Sequence, residues 1–136
     1  MKEYVDTWGI YNWNFSHGEN FIHPEDYKRV EEYERAYQVN FFRYKIFYCA
    51  SINDDGYLAL EYREQQYHVR PDLYQIVPTP KFVLGDHVRE INDHSREGVI
   101  YQVVWHYKRK RVYYHVRRGE RYSNKYNFEN EIELIP

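Results

Sequence analysis

The sequence predicts a mainly β protein with one helix, an α+β chain built as two small barrels in tandem. The chain closes its halves alike, with Pro71-Asp72-Leu73-Tyr74-Gln75-Ile76-Val77-Pro78 and with Glu129-Asn130-Glu131-Ile132-Glu133-Leu134-Ile135-Pro136. Counting back from those endings, Tyr57-Leu58-Ala59-Leu60-Glu61-Tyr62-Arg63 aligns with Arg111-Val112-Tyr113-Tyr114-His115-Val116-Arg117. Each segment places apolar residues at every second position (Leu58, Leu60, Tyr62; Val112, Tyr114, Val116), the period of a strand with one buried face. A weak internal repeat of this size is the mark of one small β-unit used twice.

Residues 4–22 are rich in aromatics and broken by Gly9, Asn12, Asn14 and Gly18, which reads as a short strand or extended arm with turns. His23-Pro24-Glu25-Asp26 has the features of a helix start: proline is preorganised for the first turn and two acids suit the positive end of the helix dipole. A helix over 24–37 follows, with Tyr27, Val30, Glu34 and Tyr37 on one side. From Val39 the period changes to two, and strands are expected at 38–42, 44–52, 57–63, 66–70 and 75–77. Asn53-Asp54-Asp55-Gly56 supplies a hairpin turn, because Asp-Gly tolerates positive φ. Pro71-Asp72-Leu73-Tyr74 reads as one helical turn. Pro78-Thr79-Pro80 is short and stiff, so the units are bounded at 1–78 and 81–136 with 79–80 as linker.

The second unit opens at Phe82–Arg89 and runs into a long strand over 99–107. Lys108-Arg109-Lys110 makes a hairpin tip, and strands follow at 111–118, 120–126 and 132–135. The expected cores are Ile100, Val103, Val112 and Val116 in this unit, with Ile46, Cys49, Leu58 and Leu60 in the first.

At 136 residues each half buries little core alone. Mean hydropathy is −0.93, yet 20% of residues are aromatic and 17 are Tyr, which argues against disorder. Tyr carries an apolar ring and a polar tip, suited to a thin barrel wall that is dry inside and wet outside. The net charge of −2 hides an asymmetry: residues 1–78 hold 8 Lys/Arg against 13 Asp/Glu, residues 79–136 hold 11 against 8. The lone cysteine, Cys49, lies in the apolar run Ile46–Ala50 and is expected to be a buried, inert thiol. The N-terminal residues lack an apolar run and no stretch approaches a membrane span, which points to a cytoplasmic protein.

Gly85-Asp86-His87-Val88-Arg89, followed by Arg96-Glu97-Gly98-Val99-Ile100 and Val103, resembles the opening of SH3-like barrels of the KOW and Tudor-like kind. There a Gly-Asp turn starts the first strand and Glu-Gly the second. The longer set Trp8–Trp13, Ile22–Asp26, Asp55-Gly56-Tyr57, Pro78–Phe82 and Trp105-His106-Tyr107 resembles small uncharacterised bacterial proteins of domain-of-unknown-function families. The resemblance implies a fold of tandem SH3-like barrels and no activity. In the first unit Tyr44 stands where the second has Gly98, and a helix replaces the Gly-Asp opening.

No Gly-x-Ser-x-Gly, phosphate-cradling glycine loop or Cys-His pair occurs, so no enzyme activity and no cofactor are expected. Seven histidines offer no metal spacing. His106 and His115 are placed on facing strands, and His68, His87 and His94 have no evident partner. The strongest local feature runs from Trp105 to Lys125: Lys108, Arg109, Lys110, Arg111, Arg117, Arg118, Arg121 and Lys125 against the single acid Glu120, interleaved with Trp105, Tyr107, Tyr113, Tyr122 and the adjoining Tyr126. The candidate binding residues are Trp105, Tyr107, Lys108, Arg109, Lys110, Arg111, Tyr113, Arg117, Arg118 and Arg121.

Two small barrels suit binding better than catalysis, and three readings stand. The acidic first half and the excess of Tyr favour a protein-interaction module, such as an adaptor, inhibitor or immunity-type partner. The basic hairpin favours RNA or single-stranded DNA, since cations neutralise phosphates and rings stack on bases. A structural subunit of a homo-oligomer is the third. The same charges on amphipathic strands also serve simply as a solvated face that protects edges.

Overall fold

The alternating pattern is realised as two five-stranded antiparallel sheets, in two units, Met1–Val77 and Pro78–Pro136. A computed structural model describes residues 2–136. The first unit comprises strand β1 (Trp8–Tyr11), helix α1 (Pro24–Tyr37) and strands β2 (Phe47–Ile52), β3 (Leu58–Tyr62), β4 (Gln65–Val69) and β5 (Tyr74–Val77). The second comprises β6 (His87–Glu90), β7 (Glu97–His106), β8 (Arg111–Arg118), β9 (Arg121–Phe128) and β10 (Ile132–Leu134).

The sheet orders are β4-β3-β2-β1-β5 and β10-β6-β7-β8-β9. They are one order used twice: four strands in a meander, with a fifth returning beside the first. The repeated endings therefore fall on equivalent strands, β5 and β10, and the aligned segments around Leu60 and Tyr114 on equivalent strands, β3 and β8. Neither sheet closes on itself, since β4 and β5 are the edges of one and β9 and β10 the edges of the other. The expected closed barrels are thus two open antiparallel sheets.

Helix α1 keeps its expected ends. His23 caps it by accepting from the Glu25 amide at 3.1 Å, Pro24 occupies the first turn, and Gln38 ends it in the left-handed region at φ 55°. Its packed side is Asp26, Val30 and Glu34. Tyr37 departs from the expected face and stays 66% exposed, its ring 4.7 Å from that of Tyr33. Phe41 is buried instead, held where Glu34 Oε2 accepts its amide at 2.8 Å.

The strand expected at 38–42 is a turn. Asn40 Oδ1 accepts from the Phe42 amide at 3.0 Å, a side-chain bond that competes with ladder pairing. Phe41 and Phe42 are both buried, which an alternating strand with one wet face cannot achieve. Tyr44 follows at φ 70°, so β2 begins only at Phe47. The aromatic arm, in contrast, supplies a central strand: β1 pairs with both β2 and β5. A Cβ on Gly9 would lie 2.6 Å from the Gln75 carbonyl oxygen, so only glycine permits this approach.

The first core gathers Tyr11, Trp13, Phe42, Phe47, Cys49, Leu58, Leu60 and Val69, among others. Ile46 is buried as well. The second gathers Phe82, Val88, Ile100, Tyr114, Val116 and Ile132, with Val103 and Val112 partly buried against them. Tyr114 Oη accepts from the Lys81 amide at 2.9 Å, and burial raises its phenol pKa. The Gly85-Asp86 turn docks on β7 through Gly85 N–H to Ile100 O and Ile100 N–H to Asp86 O.

Candidate functional site

Strand alternation sorts β7, β8 and β9 into a core face and an outer face, and a bulge decides the sorting. Register shifts between Ile100 and Gln102, which resets the phase of β7. Ile100, Val103 and Trp105 consequently all face inward, paired with Val116, Tyr114 and Val112, while Gln102, Val104 and His106 pair with His115, Tyr113 and Arg111 on the outside. On β9 the outward partners are Tyr122 opposite Arg117, Tyr126 opposite His115 and Phe128 opposite Tyr113.

The outer face carries a continuous run of rings. Tyr122 meets Tyr101 at 4.9 Å, Tyr101 meets His115 at 5.8 Å, and His115 meets Tyr113 at 5.5 Å. Tyr113 then meets Tyr126 at 4.9 Å and His106 at 5.6 Å, and Tyr126 meets Phe128 at 5.7 Å. Most contacts are edge-on or tilted, the arrangement ring quadrupoles favour. His106 and His115 do not stack on each other; Tyr113 lies between them. Tyr122 and Tyr126 are 64% and 43% exposed. Tyr101 is fixed by donating its hydroxyl to Ser123 O at 2.8 Å.

The basic residues divide the same way. Arg111 lies over the Phe128 ring at 4.0 Å, with Arg109 above the same ring at 5.8 Å. Arg117 is on the outer side and donates to Gly119 O at 2.7 Å. Lys108, Arg109 and Lys110 at the tip and Arg121 are exposed, and His106 Nδ1 steadies the tip by accepting from the Arg109 amide at 3.1 Å. Between Gly98 and Phe128 the only carboxylate is Glu120, in the β8–β9 turn.

Arg118 and Lys125 belong elsewhere. Glu90 Oε2 accepts from Arg96 Nε at 2.7 Å and Arg118 Nη2 at 3.1 Å, and Lys125 Nζ is 3.7 Å from Oε1. Burial alone would raise the Glu90 pKa, but the Arg96 hydrogen bond and the charges of Lys125, Arg96 and Arg118 hold it below the usual carboxylate range. This corrects the expectation for Arg118, whose charge is already met inside the unit. Trp105 is corrected too: at 4% exposure it is a core residue. Tyr107 is half-buried at the start of the tip turn. Sequence reasoning missed Tyr101, His106, His115 and Phe128 as members of the face. Alternation along β8 and β9 reaches His115 and Phe128, whereas Tyr101 and the phase of His106 depend on the bulge.

In the first unit His68 finds a partner in Asp26, whose Oδ2 lies 2.9 Å from its Nδ1. His23 stacks edge-on against Tyr57 at 5.0 Å.

A family profile described as "Family of unknown function (DUF6960)" matches residues 1–133. The chain belongs to DUF6960. The DUF6960 match runs through both sheets and into β10, so the two units make up one family architecture. No curated protein and no solved structure matches the chain. Among the described residues of this DUF6960 member, no three or more His, Cys, Asp or Glu side chains group to hold a metal ion. No described helix is long and apolar enough to cross a membrane.

Proposed function

We propose that this protein is a non-enzymatic binding module that docks a protein partner, as an adaptor, inhibitor or immunity-type protein, on the outer face of β7–β9. The observation that carries this is the unbroken run of rings from Tyr122 to Phe128, rimmed by Arg109, Arg111 and Arg117. Tyr and Arg are the residues that dominate the energetics of protein interfaces. The rings brace one another edge-on and an arginine covers Phe128, which suits burial against a partner surface better than separate stacking of bases. The scarcity of carboxylates here, with Glu120 alone between Gly98 and Phe128, suits an acidic patch on the partner.

The strand order, with a fifth strand returning beside the first, supports an SH3-like reading of each unit. A lone buried thiol fits a reducing, cytoplasmic setting. The same carboxylate-poor stretch also favours a second reading, in which single-stranded nucleic acid lies across the face with its phosphates on Lys108, Arg109, Lys110 and Arg121.

Capture on immobilised full-length protein, with and without nuclease, separates the two. A nuclease-resistant partner lost on Tyr122→Ala/Tyr126→Ala, with weak salt dependence, supports a protein. Nuclease-sensitive binding, with an affinity whose logarithm falls with log salt at a slope of about −0.7 per phosphate contacted, establishes the other reading.

A further inference from the structure

We propose that the cleft beside α1 in the first unit binds a small zwitterion of the amino-acid or dipeptide kind. The cleft has a volume of about 590 Å³, within the range of small-molecule sites. Its floor is the buried Ile22 and its walls include the rings of Tyr27 and Tyr57. Arg70 lies over the Tyr57 ring, 4.0 Å from ring centre to guanidinium carbon, and donates through Nη1 to Asp55 O at 2.7 Å. Stacking and that single bond fix a permanently charged planar donor while leaving its other nitrogens for a ligand carboxylate.

Charge of both signs is left uncompensated in this one cleft. Lys28 and Arg70 both line it, and among the described residues neither has a carboxylate within ion-pairing distance. Glu19 and Glu31 line it too; Glu31 reaches Arg35 at 3.5 Å, and among the described residues Glu19 has no cation within ion-pairing distance. Glu19, Glu31 and Tyr27 line the cleft together, and burial, then the charges of Glu31 and Glu19, holds the Tyr27 phenol above its usual range. An ammonium group there meets carboxylates and an aromatic wall together. A simple anion or cation satisfies only one pair of charges; a zwitterion satisfies both.

The inference concerns the first unit and is independent of the β7–β9 face. Its test is amide chemical-shift titration of the full chain with each standard free amino acid and a dipeptide pool at millimolar concentration. Saturable shifts confined to residues around Glu19, Lys28, Tyr57 and Arg70 are expected for at least one probe. Blocking either end of that probe, as its amide or its N-acetyl form, should weaken binding about tenfold or more, and so should Arg70→Met. Glu19→Gln and Lys28→Ala change exposed side chains only and serve where Arg70→Met perturbs the fold. No saturable shift with any probe, or binding indifferent to both blocked ends, overturns the proposal.

Discussion

Asp26 Oδ2 lies 2.9 Å from His68 Nδ1 and 2.8 Å from the amide of the same residue, so one carboxylate staples helix α1 to strand β4. Its other oxygen accepts from Arg29 Nη2 at 2.6 Å. Burial raises the Asp26 pKa, but the bonds from Arg29 and His68 outweigh it, and the net shift is downward. The sign of the linkage follows. Stability from Asp26 is fully present above the unfolded carboxylate pKa of about 4 and is lost as pH falls through the lower folded value.

Asp26→Ala is therefore expected to cost about 1.5–3 kcal/mol at neutral pH, and Asp26→Asn to flatten the acid limb of the stability profile. Urea titrations of the first unit's transition at several pH values measure both. An unchanged acid limb in Asp26→Asn would assign that limb to other carboxylates.

Trp105 separates a core role from a surface role. Trp105→Ala is expected to destabilise the second unit by about 3–5 kcal/mol, whereas Tyr122→Ala, on the outer face, should stay within about 0.5 kcal/mol. Thermal unfolding of the pair checks this; equal stabilities would mean that the phase of β7 is wrong.

Gly98 sits where β7 approaches β8. A Cβ there would lie 2.6 Å from Val116 Cγ1 and would also crowd the Arg117 carbonyl oxygen. Because backbone cannot swing aside as a flexible side chain can, Gly98→Ala should cost about 1–3 kcal/mol. Chemical denaturation gives the value directly.

Ile100 is 1% exposed in the second core, and Ile100→Ala should lower stability by about 2–5 kcal/mol. Replacing Lys108, Arg109 and Lys110 with Glu should leave stability within about 0.5 kcal/mol per site. The same replacement should weaken binding of an acidic partner, as read by titration at two salt concentrations.

What the sequence made legible was local. The helix start follows from Pro24 and the acids beside it, whereas its end is set by Gln38 in the left-handed region and not by the strand expected at 38–42. The hairpin at 53–56 follows from Asn53, whose Oδ1 accepts from both Asp55 and Tyr57 amides, and from Gly56 at φ 86°. The equivalence of β3 with β8 was visible because apolar alternation survives in both.

What was not legible depended on distant chain. Trp105 reads as a surface aromatic until the bulge near Tyr101 turns it inward. Arg118 reads as free charge until Glu90, on another strand, claims it. His68 reads as unpartnered because Asp26 is 42 residues away in sequence. The open sheets in place of closed barrels turn on which edges pair, a property no single segment encodes.

Cys49 is 0% exposed in β2, and burial pushes its thiol pKa up to about 11. It is also the chain's single sulfhydryl, and it lies in one unit only. A thiol-reactive dye therefore acts as a clock for opening of the first unit while remaining blind to the second. Set against hydrogen exchange of the β7 and β8 amides in the second unit, the labelling rate under native conditions reveals whether the two halves open together or one at a time.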